Sequence, residues 1–272
     1  MLARAPPVTM QRVTSRHNPL IARYRAVSRG QTDGLLLLDG AHLVIEALNT
    51  RLTIREAAVA ADALEDPDVR ALIPRIEATG IEIIEVSRTV MQALSPVRSP
   101  SSIVAIAERP VHKPDRMYAN GNPLVVIASE IQDPGNVGAI VRVAEAGGAS
   151  GLVFTGASAD PFGWKALRGS MGSALRFPLA TEQRVDQAVA EARRHGCRVL
   201  ATVPRGGRSL FELDLTKSTA ALIGGEGSGV PAAFIEAADE RVTIPMRPPV
   251  ESLNTAVAAA VLVYEARRQR TG

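Results

Sequence analysis

Short apolar runs alternate with amphipathic stretches along most of this 272-residue chain. Apolar runs of roughly four to eight residues bounded by polar turns are typical of buried strands, whereas a 3.6-residue period indicates a helix. Before residue 110 the predicted strands are 34–39, 81–86 and 103–107, and the predicted helices are 41–48, 67–79 and 89–94. The run 53–59 fits either class. This alternation predicts a small α/β domain over residues 15–108.

The second half shows the same alternation of apolar runs and amphipathic stretches. The predicted strands are 124–128, 151–155, 198–202, 220–223 and 241–245, and the predicted helices are about 137–146, 185–195 and 253–268. Strands that are apolar throughout and interleaved with helices predict a largely parallel sheet covered on both faces. The last helix is apolar nearly all round over 256–264, so either a second subunit covers it or the chain threads back through itself.

Two aperiodic segments divide the chain. Residues 1–14 are predicted to be a flexible, proline-containing tail, and residues 109–123, with three prolines, are predicted to be a linker. The second domain is therefore expected over residues 124–272.

Composition narrows the possible partners. The net charge is +3, but the first thirty residues hold six arginines and no acidic residue. Arg12, Arg16, Arg23 and Arg25 therefore suit contacts with RNA phosphates, although a solvated tail explains them equally well. The single cysteine, Cys197, excludes an intramolecular disulfide and favours the cytoplasm.

Neither a membrane nor a metal is expected as a partner. The apolar runs are much shorter than the roughly 20 residues that a membrane span needs. The four histidines are scattered without the spacing of metal ligands.

Three segments place unusual residues where parallel strands end, which is where open α/β sheets bind ligands. In the first, 130–142, Asn136 is predicted to cap a helix. Arg142 on the buried side of that helix needs an anionic partner, either an RNA phosphate or a structural carboxylate. In the last, 244–256, Ser252 or Asn254 can cap the final helix.

The middle segment, 224–229, is rich in glycine. Closely spaced glycines let a ligand approach the backbone, although a plain turn explains them too. The segment has neither a dinucleotide fingerprint nor a phosphate-binding lysine. Glu226 within it is unexpected, because a turn does not need a carboxylate.

Together these segments resemble the signature of the SpoU (TrmH-like) branch of the SPOUT methyltransferases. The matching runs are DPGNVGAIVR at 133–142, GGEGSG at 224–229, IPM at 244–246 and ESLNTAVA at 251–258. The match covers about residues 124–268. Residues 15–21, 34–47 and 95–106 resemble, more loosely, the substrate-binding domain of many members, with Asp39 where the family more often has glutamate.

The resemblance implies an α/β SPOUT domain with a mostly parallel sheet and a deep trefoil knot, preceded by a small α/β RNA-binding domain. It implies a homodimer that uses S-adenosylmethionine to methylate a ribose 2′-hydroxyl, in ribosomal RNA rather than transfer RNA. The catalytic residues that it implies are Arg142, Asn136, Glu226 and Asn254. The cofactor residues are Leu222, Gly224, Gly225, Ile244, Met246, Ser252 and Leu253.

Arg142 is expected to bind the RNA phosphate next to the target, because a guanidinium is a poor base. Two alternatives remain at this stage. One is an inactive RNA-binding or ribosome-assembly protein on the same scaffold, against which the intact polar residues argue. The other is a nucleotide-dependent oxidoreductase, against which the missing glycine fingerprint argues.

Overall fold

A computed structural model describes residues 11–119, 121–227 and 229–271, apart from the side chains of Glu182 and Gln183. The chain divides into two units, Met1–Pro110 and Val111–Gly272. Each is described by itself below.

The first unit is built on a mixed sheet. Its strands are β1 (Gln11–Val13), β2 (Leu35–Asp39), β3 (Ile54–Ala60), β4 (Ile83–Val86) and β5 (Ile103–Glu108), and its helices are α1 (Pro19–Ser28), α2 (Ala41–Asn49), α3 (Pro67–Glu77) and α4 (Arg88–Leu94). The strand order is β1-β4-β3-β5-β2. Strands β1, β4 and β3 are parallel, whereas β5 runs antiparallel to β3 and β2. The ambiguous run 53–59 is thus an inner strand, because it has partners on both sides.

The start of the chain differs from the predicted tail. Residues 1–10 lie outside the described residues, but Gln11–Val13 pairs in parallel with Ile84–Val86. Val13 is buried. The prediction was therefore wrong for residues 11–13, because three residues are too few to show a period and the edge of β4 decides their conformation. Helix α1, which the pattern did not predict, begins with Pro19 behind Asn18, whose side chain accepts a hydrogen bond from Leu20 N at 2.9 Å.

The second unit is built on a wholly parallel sheet. Its strands are β6 (Leu124–Ser129), β7 (Gly151–Thr155), β8 (Leu179–Gln183), β9 (Arg198–Thr202), β10 (Arg208–Ser209), β11 (Thr219–Gly224) and β12 (Glu240–Thr243), and its helices are α5 (Pro134–Ala146), α6 (Trp164–Ser170), α7 (Val185–Arg194), α8 (Ala232–Ala237) and α9 (Thr255–Thr271). The strand order is β10-β12-β9-β11-β6-β7-β8. The predicted α/β class with a largely parallel sheet is confirmed. The pattern missed the two edge strands, β8 because it mixes polar with apolar residues and β10 because it is only two residues long.

Helices cover the sheet of the second unit. Alternate strand residues such as Val125, Ile127 and Leu222 share one core with Ala188 and Ala192 of α7. Helix α5 packs against α6, α9 and β7. Because successive strand residues face opposite ways, the intervening apolar residues face the other layer of helices. This is why the inner strands β6, β7, β9 and β11 are apolar at consecutive positions in their middles.

The predicted linker, 109–123, contributes to this core. A 3₁₀ turn at Pro114–Tyr118 buries Met117 and Tyr118 in the second unit. Met117 leaves no room for a side chain at Gly151, where a Cβ would lie 2.2 Å from Met117 Cγ. Met117 and Tyr118 stand among prolines and polar residues without a helical or strand period. The sequence pattern of this segment therefore predicts a linker.

One side of the last helix, α9, is buried. Its buried residues include Ala259, Leu262 and Val263. Val257 and Tyr264, seven residues apart on one face, are 48% and 49% exposed. The expectation that this helix is enclosed on most sides therefore does not hold within a single chain. Among the described helices, none has the length and apolar character needed to cross a bilayer.

A tight crossing of α5 and α6 at Gly138 supplies the first prediction. A Cβ at Gly138 would lie 2.4 Å from Ala166 O and 2.9 Å from Gly169 Cα. We expect Gly138→Ala to lower the free energy of unfolding by about 1–3 kcal/mol through overpacking. This expected loss is net of the gain of roughly 1 kcal/mol that alanine normally brings inside a helix, because the atoms that are too close belong to the backbone and cannot move aside as a flexible side chain can. Denaturant unfolding measures the change.

Gly121→Ala is the matched control, because a Cβ at Gly121 has no heavy atom within 4 Å among the described residues beyond its chain neighbours. It should unfold within about 0.5 kcal/mol of the unchanged protein. Equal stability of the two variants would show that the helix crossing relaxes without cost.

Candidate active site

The candidate site lies where β6, β11 and β12 end. Strands β6 and β11 are neighbours, and Ser129 is the register partner of Gly224. The loop that leads into α5 and the turn 225–229 therefore leave the sheet side by side. The segment after β12 returns to the same edge and ends at Asn254, directly before α9.

Asn136, Glu226 and Asn254 form one hydrogen-bonded cluster, called the polar trio below. The side-chain amide of Asn136 donates to Glu226 Oε1. Asn254 Nδ2 donates to Asn136 Oδ1 at 3.1 Å and to Glu226 Oε1 at 3.2 Å. The structure thus brings together three of the four residues predicted to be catalytic, although Asn136 and Asn254 are 118 positions apart.

The two asparagines have different local roles. The prediction that Asn136 caps α5 is wrong, because Asp133 does so by accepting a hydrogen bond from Gly135 N at 2.6 Å. Asn136 lies in the first turn instead, and its side chain is therefore available for Glu226. Asn254 does cap its helix, since its Oδ1 accepts from Ala256 N at 2.9 Å and from Val257 N at 3.2 Å.

The glycine-rich turn is dictated by close backbone approach. A Cβ at Gly224 would lie 1.9 Å from the carbonyl carbon of Gly229, and one at Gly225 would lie 2.1 Å from Glu130 O. Gly229 has a φ of +61°, in the left-handed region. The turn therefore folds onto itself and against the loop after β6, and this brings Glu226 to Asn136.

A cavity of about 690 Å³ opens on one side of the trio. Its walls combine the glycine turn with apolar side chains such as Ile244 and Leu253. Of the predicted cofactor residues, the structure places these along it: Gly224, Gly225, Ile244, Met246, Ser252 and Leu253.

Leu222 is the exception among the predicted cofactor residues. Its side chain is fully buried in the core, and its carbonyl accepts a hydrogen bond from Thr202 Oγ1 at 2.9 Å. The cavity is also lined by Thr202, Val203 and Pro204, which no sequence motif singled out. Their position in the sequence could have indicated this, because they lie at the end of a predicted parallel strand and therefore at the same edge of the sheet.

A smaller cavity, of about 320 Å³, lies on the other side of the trio. Its lining residues are Glu130, Ile131, Gln132, Asp133, Asn136, Glu226 and Gly227. It shares Glu226 and Gly227 with the larger cavity. Its charged lining groups are carboxylates, so it favours a neutral group over a phosphate. The trio thus separates an apolar cavity from an acidic one.

Arg142, the fourth predicted catalytic residue, is not part of this cluster in a single chain. It is exposed rather than on the buried side of α5, and it lines neither cavity. Six residues after Asn136, it lies about 9 Å along the helix and on a different face. It forms no hydrogen bond or ion pair with the residues that the structure describes, so the structural salt bridge allowed by the sequence is not formed.

The four arginines predicted to bind RNA are tied to the first unit. Arg12 pairs with Glu85 at 3.1 Å and Arg23 with Glu56 at 3.2 Å. The Nε atoms of Arg16 and Arg25 donate to the carbonyls of Thr89 at 3.3 Å and Ala93 at 3.2 Å.

These bonds leave positive charge at the surface. The terminal nitrogens of Arg16 and Arg25 have no partner among the described residues, whereas the carboxylates neutralise Arg12 and Arg23. Two of the four guanidinium groups therefore remain available to an anion.

A second group of ionisable side chains lies away from the trio. The possible ligand atoms of Asp115, Glu191 and His195 come within 4.8 Å of one another, and this group includes a single histidine. Glu191 is already paired with His195 at 3.0 Å and with Arg194. The ring of His195 stacks on Tyr118 at 4.2 Å, and burial raises the pKa of Tyr118 to about 12. Nearby Cys197 is buried, which raises its thiol pKa and makes it a poor nucleophile.

Comparison with family models gives two matches along the chain. Residues 123–264 match the model of the SpoU rRNA Methylase family. Residues 27–105 match the MRM3-like substrate binding domain.

Known rRNA methyltransferases resemble this protein in sequence and in structure over most of the chain. The 23S rRNA (guanosine(2553)-2′-O)-methyltransferase RlmP of Bacillus subtilis is 33% identical over 231 residues, which cover 85% of this chain and 88% of that protein. The AdoMet-bound rRNA methyltransferase from Sinorhizobium meliloti superposes with a TM-score of 0.84 at 29% identity, covering 95% of this chain and 98% of the other. The SpoU methyltransferase AviRb from Streptomyces viridochromogenes, in complex with AdoMet, gives 0.84 at 28% identity, with 94% and 99% covered.

The double role of Asn254 yields the second prediction. Asn254→Ala removes the helix cap and should lower the free energy of unfolding by about 1 kcal/mol. Asn254→Ser retains a cap acceptor but cannot donate to Asn136 and Glu226 as the amide does, so it should unfold close to the unchanged protein. Denaturant unfolding of both variants separates the two roles. An equal loss in both would mean that the trio, and not the cap, holds the start of α9.

Proposed function

Because the chain belongs to the SpoU rRNA methylase family, we propose that it transfers a methyl group from S-adenosylmethionine to a ribose 2′-oxygen of ribosomal RNA. The observation that carries this proposal is the polar trio between two cavities. One cavity is suited to the cofactor and the other to a nucleotide. The intact trio argues against the alternative of an inactive RNA-binding or assembly protein.

The larger cavity fits S-adenosylmethionine. Its apolar side chains, including Ile244 and Leu253, suit the flat adenine, and the turn at Gly224 and Gly225 offers backbone groups to polar edges. The predicted residues would hold the cofactor here, except Leu222, which acts only as support from the core. The bound cofactor supplies a methyl group that is already activated on a sulfonium. The protein must therefore orient the accepting hydroxyl.

The trio is placed to orient that hydroxyl. Glu226 Oε1 is held by both asparagine amides, and its second carboxylate oxygen has no partner among the described residues. That oxygen can accept a hydrogen bond from the 2′-hydroxyl of a nucleotide in the smaller cavity. Because carboxylates line this cavity, the neutral base and sugar enter it and the phosphates stay outside.

A second copy of the chain completes the site in this proposal. Arg142 is exposed on α5, and the packed neighbour α9 presents Val257 and Tyr264 to solvent. Burial of this apolar face between two copies explains why α9 is apolar nearly all round. Arg142 of one copy then reaches the site of the other, where its guanidinium binds the phosphate next to the target. There it stabilises negative charge developing on the 2′-oxygen, and the phosphate takes the proton.

The first unit is proposed to bind the RNA. Its match to a substrate-binding domain supports this role, and so do the available guanidinium groups of Arg16 and Arg25. We further propose that the C-terminal segment forms the deep trefoil knot. After β12 the chain returns to the middle of the sheet, where α9 packs against α5 and β11. A chain with one cysteine and an RNA substrate also suits the reducing cytoplasm.

The third prediction concerns Arg142. Arg142→Ala should reduce methyl transfer to unmodified ribosomal RNA by at least 100-fold, because it removes a group that stabilises transition-state charge. Binding of S-adenosylmethionine, measured by calorimetric titration, should be unchanged. Arg184→Ala is the control, since Arg184 is also exposed and, among the residues that the structure describes, its side chain pairs with Asp186 alone. Normal turnover by Arg142→Ala would remove this residue from the mechanism.

The fourth prediction tests whether the site is shared. Arg142→Ala and Asn254→Ser should each be nearly inactive alone. If Arg142 acts across the interface, a mixed dimer has one site with both residues intact, so mixing should restore about a quarter of the full activity. If both residues act within one chain, every site in the mixture keeps a defect and no activity returns.

A further inference from the structure

Glu130, the residue directly after β6, has an unusual backbone conformation. Its φ is +59°, in the left-handed region that residues other than glycine rarely adopt. Such a conformation persists only where the surroundings hold it, and it is concentrated at functional sites. Glu130 lies six residues before Asn136, in the loop that leads into α5.

The polar groups of Glu130 join it to the loop after the neighbouring strand β7. Its backbone N–H donates to Thr155 O at 3.2 Å. Its Oε1 accepts a hydrogen bond from Ala157 N at 3.2 Å. The carboxylate therefore closes a link between the ends of β6 and β7.

Two glycines make room for Glu130. A Cβ at Gly225 would lie 2.1 Å from Glu130 O, and a Cβ at Gly156 would lie 1.9 Å from Glu130 Oε1. Gly225 directly precedes Glu226 of the trio. Glu130 is thus wedged between the loops after β7 and β11 while its own loop carries Asn136.

We propose that Glu130 is a positioning residue for methyl transfer. Its side chain anchors the loop after β6 to the loop after β7, and its carbonyl supports the turn at Gly225. Together these contacts hold Asn136 and Glu226 at hydrogen-bonding distance. The side chain acts as a hydrogen-bond acceptor and not through its charge, because its partner is a backbone N–H. This inference rests on the proposed function.

The experiment compares three variants of the full-length protein. Glu130→Gly permits the left-handed backbone but removes the acceptor. Glu130→Gln keeps an oxygen that can accept from Ala157 N. Arg51→Gly is the matched control, since Arg51 has a φ of +56° in the first unit and its substitution relieves the same kind of strain elsewhere.

The measurements are kcat and KM for methylation of unmodified ribosomal RNA, the Kd of S-adenosylmethionine by calorimetry, and the melting temperature. Glu130→Gly should lower kcat on the order of 10- to 100-fold, as expected when reacting groups are displaced by about 1 Å. Its cofactor Kd should stay the same, because Glu130 does not line the larger cavity. The KM for RNA should change less than kcat, because Glu130 is only one of seven residues that line the smaller cavity. Glu130→Gln should restore kcat, and Arg51→Gly should leave kcat unchanged at saturating RNA.

Three results would overturn the inference. An unchanged kcat in Glu130→Gly would show that the trio needs no such support. An equal loss in Glu130→Gln would show that the charge acts directly on the substrate. A parallel loss of cofactor binding and melting temperature would show a general structural role. If the unchanged protein methylates no RNA, the proposed function fails instead, and this inference fails with it.

Discussion

The spacing of two adjacent parallel strands, β6 and β11, is the constraint on which the site depends. Hydrogen-bonded strands lie about 4.8 Å apart, so the segments that leave their ends begin in contact. At this edge Gly224 and Gly225 have no space for a Cβ, because Gly229 and Glu130 already occupy it. The glycines do not loosen the chain here. They allow two loops to touch, and this contact sets the distance between Asn136 and Glu226.

The same contact explains how a partly exposed site can be well ordered. The trio is not held by burial, since all three members retain exposure. It is held by rigid elements on each side, namely the start of α5, the turn after β11 and the start of α9. Asn254 has two roles in this arrangement: its side-chain oxygen caps α9, and its side-chain NH2 group donates hydrogen bonds to the other two members of the trio. A site built from strand ends and helix starts needs little reorganisation when a substrate arrives.

Much of the architecture was predictable because it follows from local physics. Continuous apolar runs in the middle of β6, β7, β9 and β11 indicate strands buried on both faces, and the interleaved helices indicate parallel connections. The sequence pattern failed where contacts with a neighbouring strand or side chain decide the conformation and the spacing of apolar residues does not. Gln11–Val13 is a strand only because β4 offers an edge, and Met117 is buried only because Gly151 leaves space for it. Asn136 was assigned as the cap because the turn before it was read as non-helical, whereas Asp133 starts the helix three residues earlier.

The sequence by itself determined the chemistry that is available at the sheet edge: glycines where no side chain fits, and carboxamide and carboxylate groups where strands end. These groups follow from residue identity and from the order of the strands along the chain, both of which can be read from the sequence. Only the tertiary structure decided which groups meet. Leu222 faces the core because side chains alternate along a strand, and Arg142 lies apart from the trio because six residues turn a helix away from its first face. Glu130 acquired its place from contacts with two loops that are distant in sequence. Such proximity depends on packing, and residue order alone does not contain it.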